Sequence, residues 1–132
     1  LIDGIGASSP PLPGVAIEKR IDDFTMDSKI LFPVGIIINE LVTNAYKYAF
    51  PGGRKGTITI SFSRLTGAGI EMTVRDDGRC IPESVEIGGQ SGFGMMLVNL
   101  LTRQIGGILE CVRKGGTEFR IGFDYDGNEG LP

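Results

Sequence analysis

Between residues 36 and 50 the chain carries apolar residues at helical spacing on one side and Glu40, Asn44 and Lys47 at i, i+4 and i+7 on another. On a helix those three polar groups share an arc of roughly 60°. Val34, Ile37, Ile38, Leu41, Val42, Ala45, Tyr48 and Ala49 make the broad apolar side, and Asn39, Thr43 and Tyr46 occupy a third sector. Such a helix must lay one face on a core while holding an acid, an amide and an ammonium group in a separate row. That donor set suits a metal ion and a phosphate. Pro33 fits the first turn of this helix and Phe50-Pro51-Gly52-Gly53 ends it. Asp27 reads as the N-cap of a separate short turn over 28–31.

Downstream the period changes from helical to two. Residues 57–63 alternate Ile58, Ile60 and Phe62 with Thr and Ser, and Ile70, Met72 and Val74 alternate with Glu71, Thr73 and Arg75. Gly67-Ala68-Gly69 makes their connection a hairpin. A polar, Gly-rich segment over 83–91 fits neither strand nor helix. A second helix is expected over 95–105, with Leu97, Val98, Leu101 and Ile105 on one face and Gly106-Gly107 as its stop. Strands over 108–112 and 117–123 close the domain, and 15–21 supplies a short edge strand. This order favours an α+β fold, a two-layer α/β sandwich whose mixed sheet is covered on one face by helices. The expected organisation is a Pro-rich linker over 1–14, one domain over 15–124 and a polar tail over 125–132.

With 132 residues and 41% hydrophobic content, one domain with a real core is expected. A formal charge of −3 argues against a non-specific nucleic-acid surface, which needs clustered Lys and Arg. The chain has no histidine, so imidazole acid–base catalysis, imidazole metal ligation and phosphohistidine formation within it are excluded. Two cysteines, Cys80 and Cys111, form neither a disulfide framework nor a zinc pattern and fit a reducing, cytoplasmic compartment. No apolar stretch approaches membrane-spanning length, so no membrane contact is expected of this domain. The start, Leu-Ile-Asp-Gly, reads as an excised domain.

Two local features bear on chemistry. Asp76 keeps the inward phase of Ile70–Val74, and Thr117 keeps that of Phe119, Ile121 and Phe123. Antiparallel pairing of those strands would bring Asp76 beside Thr117 beneath the helices. The carboxylate then either caps the turn at Asp77-Gly78 or meets a ligand amine and a bridging water. Gly92-Phe93-Gly94 leads into the second helix and offers backbone N–H groups to an anion, a weak signal on its own. It lacks the third glycine of the dinucleotide fingerprint, and Gly53-Arg54-Lys55-Gly56 lacks Walker A spacing. Arg54 and Lys55 read as solvated hairpin-loop charges.

Four segments occur in a telling order: Asn39-Glu40-Leu41-Val42-Thr43-Asn44-Ala45, Asp76-Asp77-Gly78-Arg79-Cys80, Gly92-Phe93-Gly94-Met95 and Gly116-Thr117-Glu118-Phe119. They resemble the N, G1, G2 and terminal Gly-Thr boxes of the Bergerat-fold ATPases, over about residues 15–124. The Glu-bearing N box, the following Ala49-Phe50-Pro51 and a very short lid are most similar to the catalytic domain of a bacterial two-component histidine kinase. The resemblance implies binding of ATP with Mg²⁺. Asp76 would accept from the adenine amino group, Thr117 would hold a water, and Gly78 and Cys80 would line the base pocket. Asn44 would ligate Mg²⁺, with Glu40 tuning the metal shell or the incoming nucleophile. Lys47 would meet a phosphate, Tyr48 would take a phosphate-side or a core role, and Gly92, Phe93 and Gly94 would cradle the phosphate chain.

The γ-phosphoryl group would pass to a histidine on a separate helical phosphoacceptor domain, with a response regulator downstream. One departure stands out: Cys80 replaces the second glycine of Asp-X-Gly-X-Gly. A positive φ there would strain a cysteine by roughly 1 kcal/mol and weaken nucleotide binding. The alternatives are an anti-sigma-type serine kinase of the same fold and a degenerate nucleotide-binding or scaffolding module, the latter resting on Cys80.

Overall fold

The computed structural model describes residues 14–22, 26–79 and 93–125. Its elements run β1 (Val15–Ile21), α1 (Ser28–Tyr48), a 3-10 turn (Pro51–Gly53), β2 (Gly56–Arg64), β3 (Gly69–Asp76), α2 (Phe93–Gln104), β4 (Ile108–Arg113) and β5 (Thr117–Asp124). The strands form one mixed sheet in the order β1-β2-β3-β5-β4, with β1 parallel to β2 and the other neighbours antiparallel. The α+β sandwich expected from the sequence is the fold observed.

Register explains why only one face is apolar. Ile60 faces Val74, Phe62 faces Met72, Val74 faces Phe119 and Met72 faces Ile121, so the alternating apolar sets of three strands fall on one side. Those side chains are buried together with Val34, Ile37, Ile38, Leu41 and Val42 of α1 and with Met95 and Val98 of α2. Each such large side chain contributes about 1.5–3 kcal/mol by leaving water. The opposite face carries Thr57, Thr59, Ser61, Thr73 and Arg75, and the Ser61 and Thr73 hydroxyls bond to each other across the strands. It is the solvated side of the sheet, and the open hollow of about 370 Å³ there is lined by hydroxyls and charges of both signs.

Three expectations are corrected. The turn over 28–31 is no separate element: Asp27 caps a single helix, its Oδ1 accepting from the Lys29 N–H at 2.7 Å, and Pro33 lies inside that helix. A proline six residues in forfeits only one intrahelical bond, and its ring is buried with the apolar face. The second helix starts at Phe93 rather than at 95 and buries Met95, Val98 and Thr102; of the expected face, Val98 is in the core and Leu101 and Ile105 pack against it, while Leu97 is not among these core residues. Thr102 is tolerated inside because its hydroxyl donates to the Val98 carbonyl at 2.7 Å. Finally, Tyr125 is core and not tail. It is 7% exposed, its N–H bonds the Ala68 carbonyl, and its hydroxyl accepts from the Asp27 N–H at 2.9 Å. Gly14, at the end of the expected linker, accepts from the Gly56 N–H at 3.1 Å, while 1–13 and 126–132 lie outside the described residues.

Candidate functional site

Asp76 ends β3 with its side chain on the helix-covered face, directly opposite Thr117 in the ladder. Both are buried, at 4% and 1% exposure. The Asp76 Oδ1 accepts from the Gly78 N–H at 3.0 Å and from the Thr117 N–H at 3.4 Å. Burial pushes this carboxyl above the ordinary carboxylate range, the nearby Asp77 charge adds to the rise, and the two N–H donors and Arg75 oppose it. The turn-capping reading is thus realised at Oδ1, and among the described residues no hydrogen bond to Oδ2 is seen. Asp77 points elsewhere and brackets the start of β2, with its Oδ1 accepting from the Thr57 N–H at 2.7 Å.

Two glycines make this corner possible. A side chain on Gly116, which has φ +126°, would overlap the Asp76 carbonyl, and one on Gly78 would overlap the Ala49 carbonyl. Only bare backbone lets the Gly-Thr turn and the end of α1 close on Asp76 and its turn.

The α1 ridge borders the same corner. Asn44 and Glu40 are half-buried, Lys47 is exposed, and none belongs to the buried face of the helix. A Cβ on Gly94 would come within 2.5 Å of the Glu40 Oε2, so the ridge meets the N-terminal turn of α2 at Glu40. At the other end of the ridge, Ala49 packs on Gly78, two residues past Asp76. The end of β3, the ridge and the start of α2 are therefore contiguous. Phe93 opens α2 and is 72% exposed, while Gly92 and Cys80 lie outside the described residues. Tyr48 is 36% exposed at the edge of the core, whereas Tyr46 is the partly buried tyrosine that packs against it. Burial raises the Tyr46 phenol above its ordinary range. Arg54 and Lys55 are exposed, as loop charges should be.

Sequence reasoning missed Arg79. Its N–H donates to the Ala49 carbonyl and its Nε–H to the Tyr48 carbonyl, both at 2.9 Å, which ties the turn after Asp76 to the end of α1. The available signal was the lack of a glycine at the end of this helix, which leaves terminal carbonyls to be satisfied from elsewhere.

The model of the histidine kinase-, DNA gyrase B- and HSP90-like ATPase family matches residues 32–127. The chain belongs to this family. Among curated relatives of these ATPases, it is 28% identical over 123 residues to the blue-light-activated histidine kinase 2 of Erythrobacter litoralis, covering 93% of this chain and 33% of that protein. The chain thus spans about a third of the length of that relative. The solved blue-light-activated histidine kinase EL346 of Erythrobacter litoralis superposes with a TM-score of 0.84 at 25% identity, over 92% of this chain and 38% of that one. The histidine kinase AdeS of Acinetobacter baumannii shares the fold, with a TM-score of 0.71 at 14% identity over 93% of this chain and 58% of that one. Among the described residues, no helix is long and apolar enough to cross a membrane.

Proposed function

We propose that this ATPase-family domain binds Mg-ATP and presents its γ-phosphoryl group to a histidine on a separate helical phosphoacceptor domain in the cytoplasm, with a response regulator downstream. The observation that carries the reading is the buried Asp76 carboxylate, fixed by two backbone N–H groups at the corner where the end of α1 packs on the turn after β3. A buried acceptor with one oxygen to spare suits an exocyclic amine. Thr117, buried beside it, offers a hydroxyl for a bridging water.

The donor chemistry suits the ion as well. Glu40 and Asn44, both half-buried and one turn apart on α1, offer two oxygen donors. That fits Mg²⁺, which keeps waters and phosphate oxygens around one or two protein oxygens. Asn44, with Glu40 beside it, would hold it, and the bound ion would neutralise phosphate charge. Lys47 would add a compact positive charge to the phosphates, and backbone N–H groups at the start of α2 favour an anion. The chain's own residues thus bind and orient, and transfer proceeds by positioning and charge neutralisation.

The acceptor must come from outside this chain, because the chain has no histidine. Phe93, Met96 and Leu100 form an exposed apolar stripe along α2, at 72%, 53% and 60% exposure, and support docking of a helical partner next to the phosphates. Incubating the domain with radiolabelled Mg-ATP and a histidine-bearing helical segment of the parent kinase tests the proposal. Acid-labile label on that segment is expected. Acid-stable label would point to serine transfer, and no label with intact binding would point to a binding module.

A further inference from the structure

We infer that Arg79 is a positioning residue that sets the distance between the base end and the phosphate end of the proposed nucleotide site, through its Nε–H rather than its charge. The inference rests on the Mg-ATP reading above.

The two ends of the site are anchored differently. Asp76 and Thr117 belong to paired strands, and Asp76 is further fixed by the Gly78 and Thr117 N–H groups. Asn44 and Lys47 belong to the last turns of α1, and that helix ends without a left-handed cap, because Ala49 is right-handed helical in conformation. Its final carbonyls take partners from the turn after β3 instead. The Ala49 carbonyl accepts the Arg79 N–H and the Tyr48 carbonyl accepts the Arg79 Nε–H. Tyr48 directly follows Lys47 and lies four residues, about one turn, beyond Asn44. A shift at the Tyr48 carbonyl is therefore passed up the helix to both side chains.

A ligand that touches only the base end does not sense this strut. One that spans both ends does, because its second contact gains from the first only while the spacing is right. Misplacement near 1 Å can cost up to about a hundredfold in a positioned site. The side-chain bond uses a single N–H of the guanidinium, a donor that an uncharged amide also supplies. Gln carries an amide nitrogen at the same number of bonds from Cα as Nε, and Met has similar length with no donor.

Calorimetry on this chain with Mg-ATP and, separately, adenosine, in wild type, Arg79→Gln and Arg79→Met, decides the matter, with thermal melts to establish folding. Arg79→Met is expected to weaken Mg-ATP about tenfold while adenosine changes less than about twofold. Arg79→Gln should restore Mg-ATP affinity to near wild type. Equal losses in Gln and Met would mean that the charge acts on the ligand, and would overturn the inference. So would an unchanged Mg-ATP affinity in the Met variant, or equal losses for both ligands. Wild-type protein that binds neither ligand would overturn the nucleotide reading itself, a result distinguishable from every variant outcome.

Discussion

Replacing Asp76 with Asn separates the two roles of this carboxylate. In the folded chain Oδ1 receives two backbone N–H groups, from Gly78 and Thr117. An Asn side chain keeps both bonds by placing its carbonyl oxygen there, which forces its NH₂ group into the position of Oδ2. A ligand amine then faces a donor instead of an acceptor. Loss of one hydrogen bond to a charged acceptor is worth about 1.5–3 kcal/mol, or roughly ten- to a hundredfold and somewhat more in Kd. Stability should move the other way. Burial raises the Asp76 pKa in the folded state, so the carboxyl contributes stability that is fully present below its unfolded pKa and is lost as pH rises through its folded pKa. At neutral pH the buried charge is a net cost that Asn removes. Asp76→Asn should therefore melt at or above the wild-type temperature at pH 7, and its advantage should shrink as pH falls through the raised Asp76 pKa toward the ordinary carboxylate range. Titration calorimetry with adenosine and Mg-ATP, paired with melts at both pH values, measures both arms. Unchanged affinity in a folded variant would remove Asp76 from the site, and a large fall in melting temperature at pH 7 would refute the burial argument.

Three further substitutions probe the corner and its supports. Gly116→Ala must push against the Asp76 carbonyl from a φ of +126°, and should lower unfolding free energy by about 2–4 kcal/mol in urea titrations. Gly94→Ala meets only the end of the flexible Glu40 side chain, so stability should stay within about 0.5 kcal/mol. Its Mg-ATP affinity should fall several-fold by calorimetry as Glu40 is displaced. Tyr125→Phe leaves the half-buried Asp27 N–H without its acceptor at the start of α1 and should cost about 0.5–1.5 kcal/mol in urea titrations, with nucleotide affinity unchanged.

The sequence made legible whatever depends on period and register. Ile58, Ile60, Phe62, Ile70, Met72 and Val74 alternate without exception, so the buried face followed from phase, and the Asp76–Thr117 pairing from phase together with antiparallel pairing of their strands. The α1 core face was legible for the same reason. Contacts between segments far apart in the chain were not, because nothing local announces them. Tyr125 looks like the start of a polar tail until its hydroxyl is seen bonded to Asp27, 98 residues away. Pro33 reads as a helix start on local rules, yet packing of its ring overrides the loss of one bond. Nothing local to Arg79 announces its two bonds to the end of α1, a helix 31 residues earlier in the chain.

The same distinction separates what the site inherits from its sheet and what it draws from its helices. Asp76, Thr117 and the glycines around them are held by ladder pairing and by backbone contacts that admit no side chain, so the proposed base end of the site is fixed by the sheet. Glu40, Asn44 and Lys47 stand on a helix whose terminal carbonyls lean on one arginine, beside the exposed face of α2. Under the proposed function this division would let the base end hold the nucleotide, while the phosphate end, tied to the sheet through Arg79, orders further when a ligand spans both. If so, hydrogen exchange should be slow at Asp76–Gly78 and Thr117 with or without ligand, while the last turn of α1 and the first of α2 slow only when Mg-ATP is added. Equal protection of both ends in the free chain would refute the division.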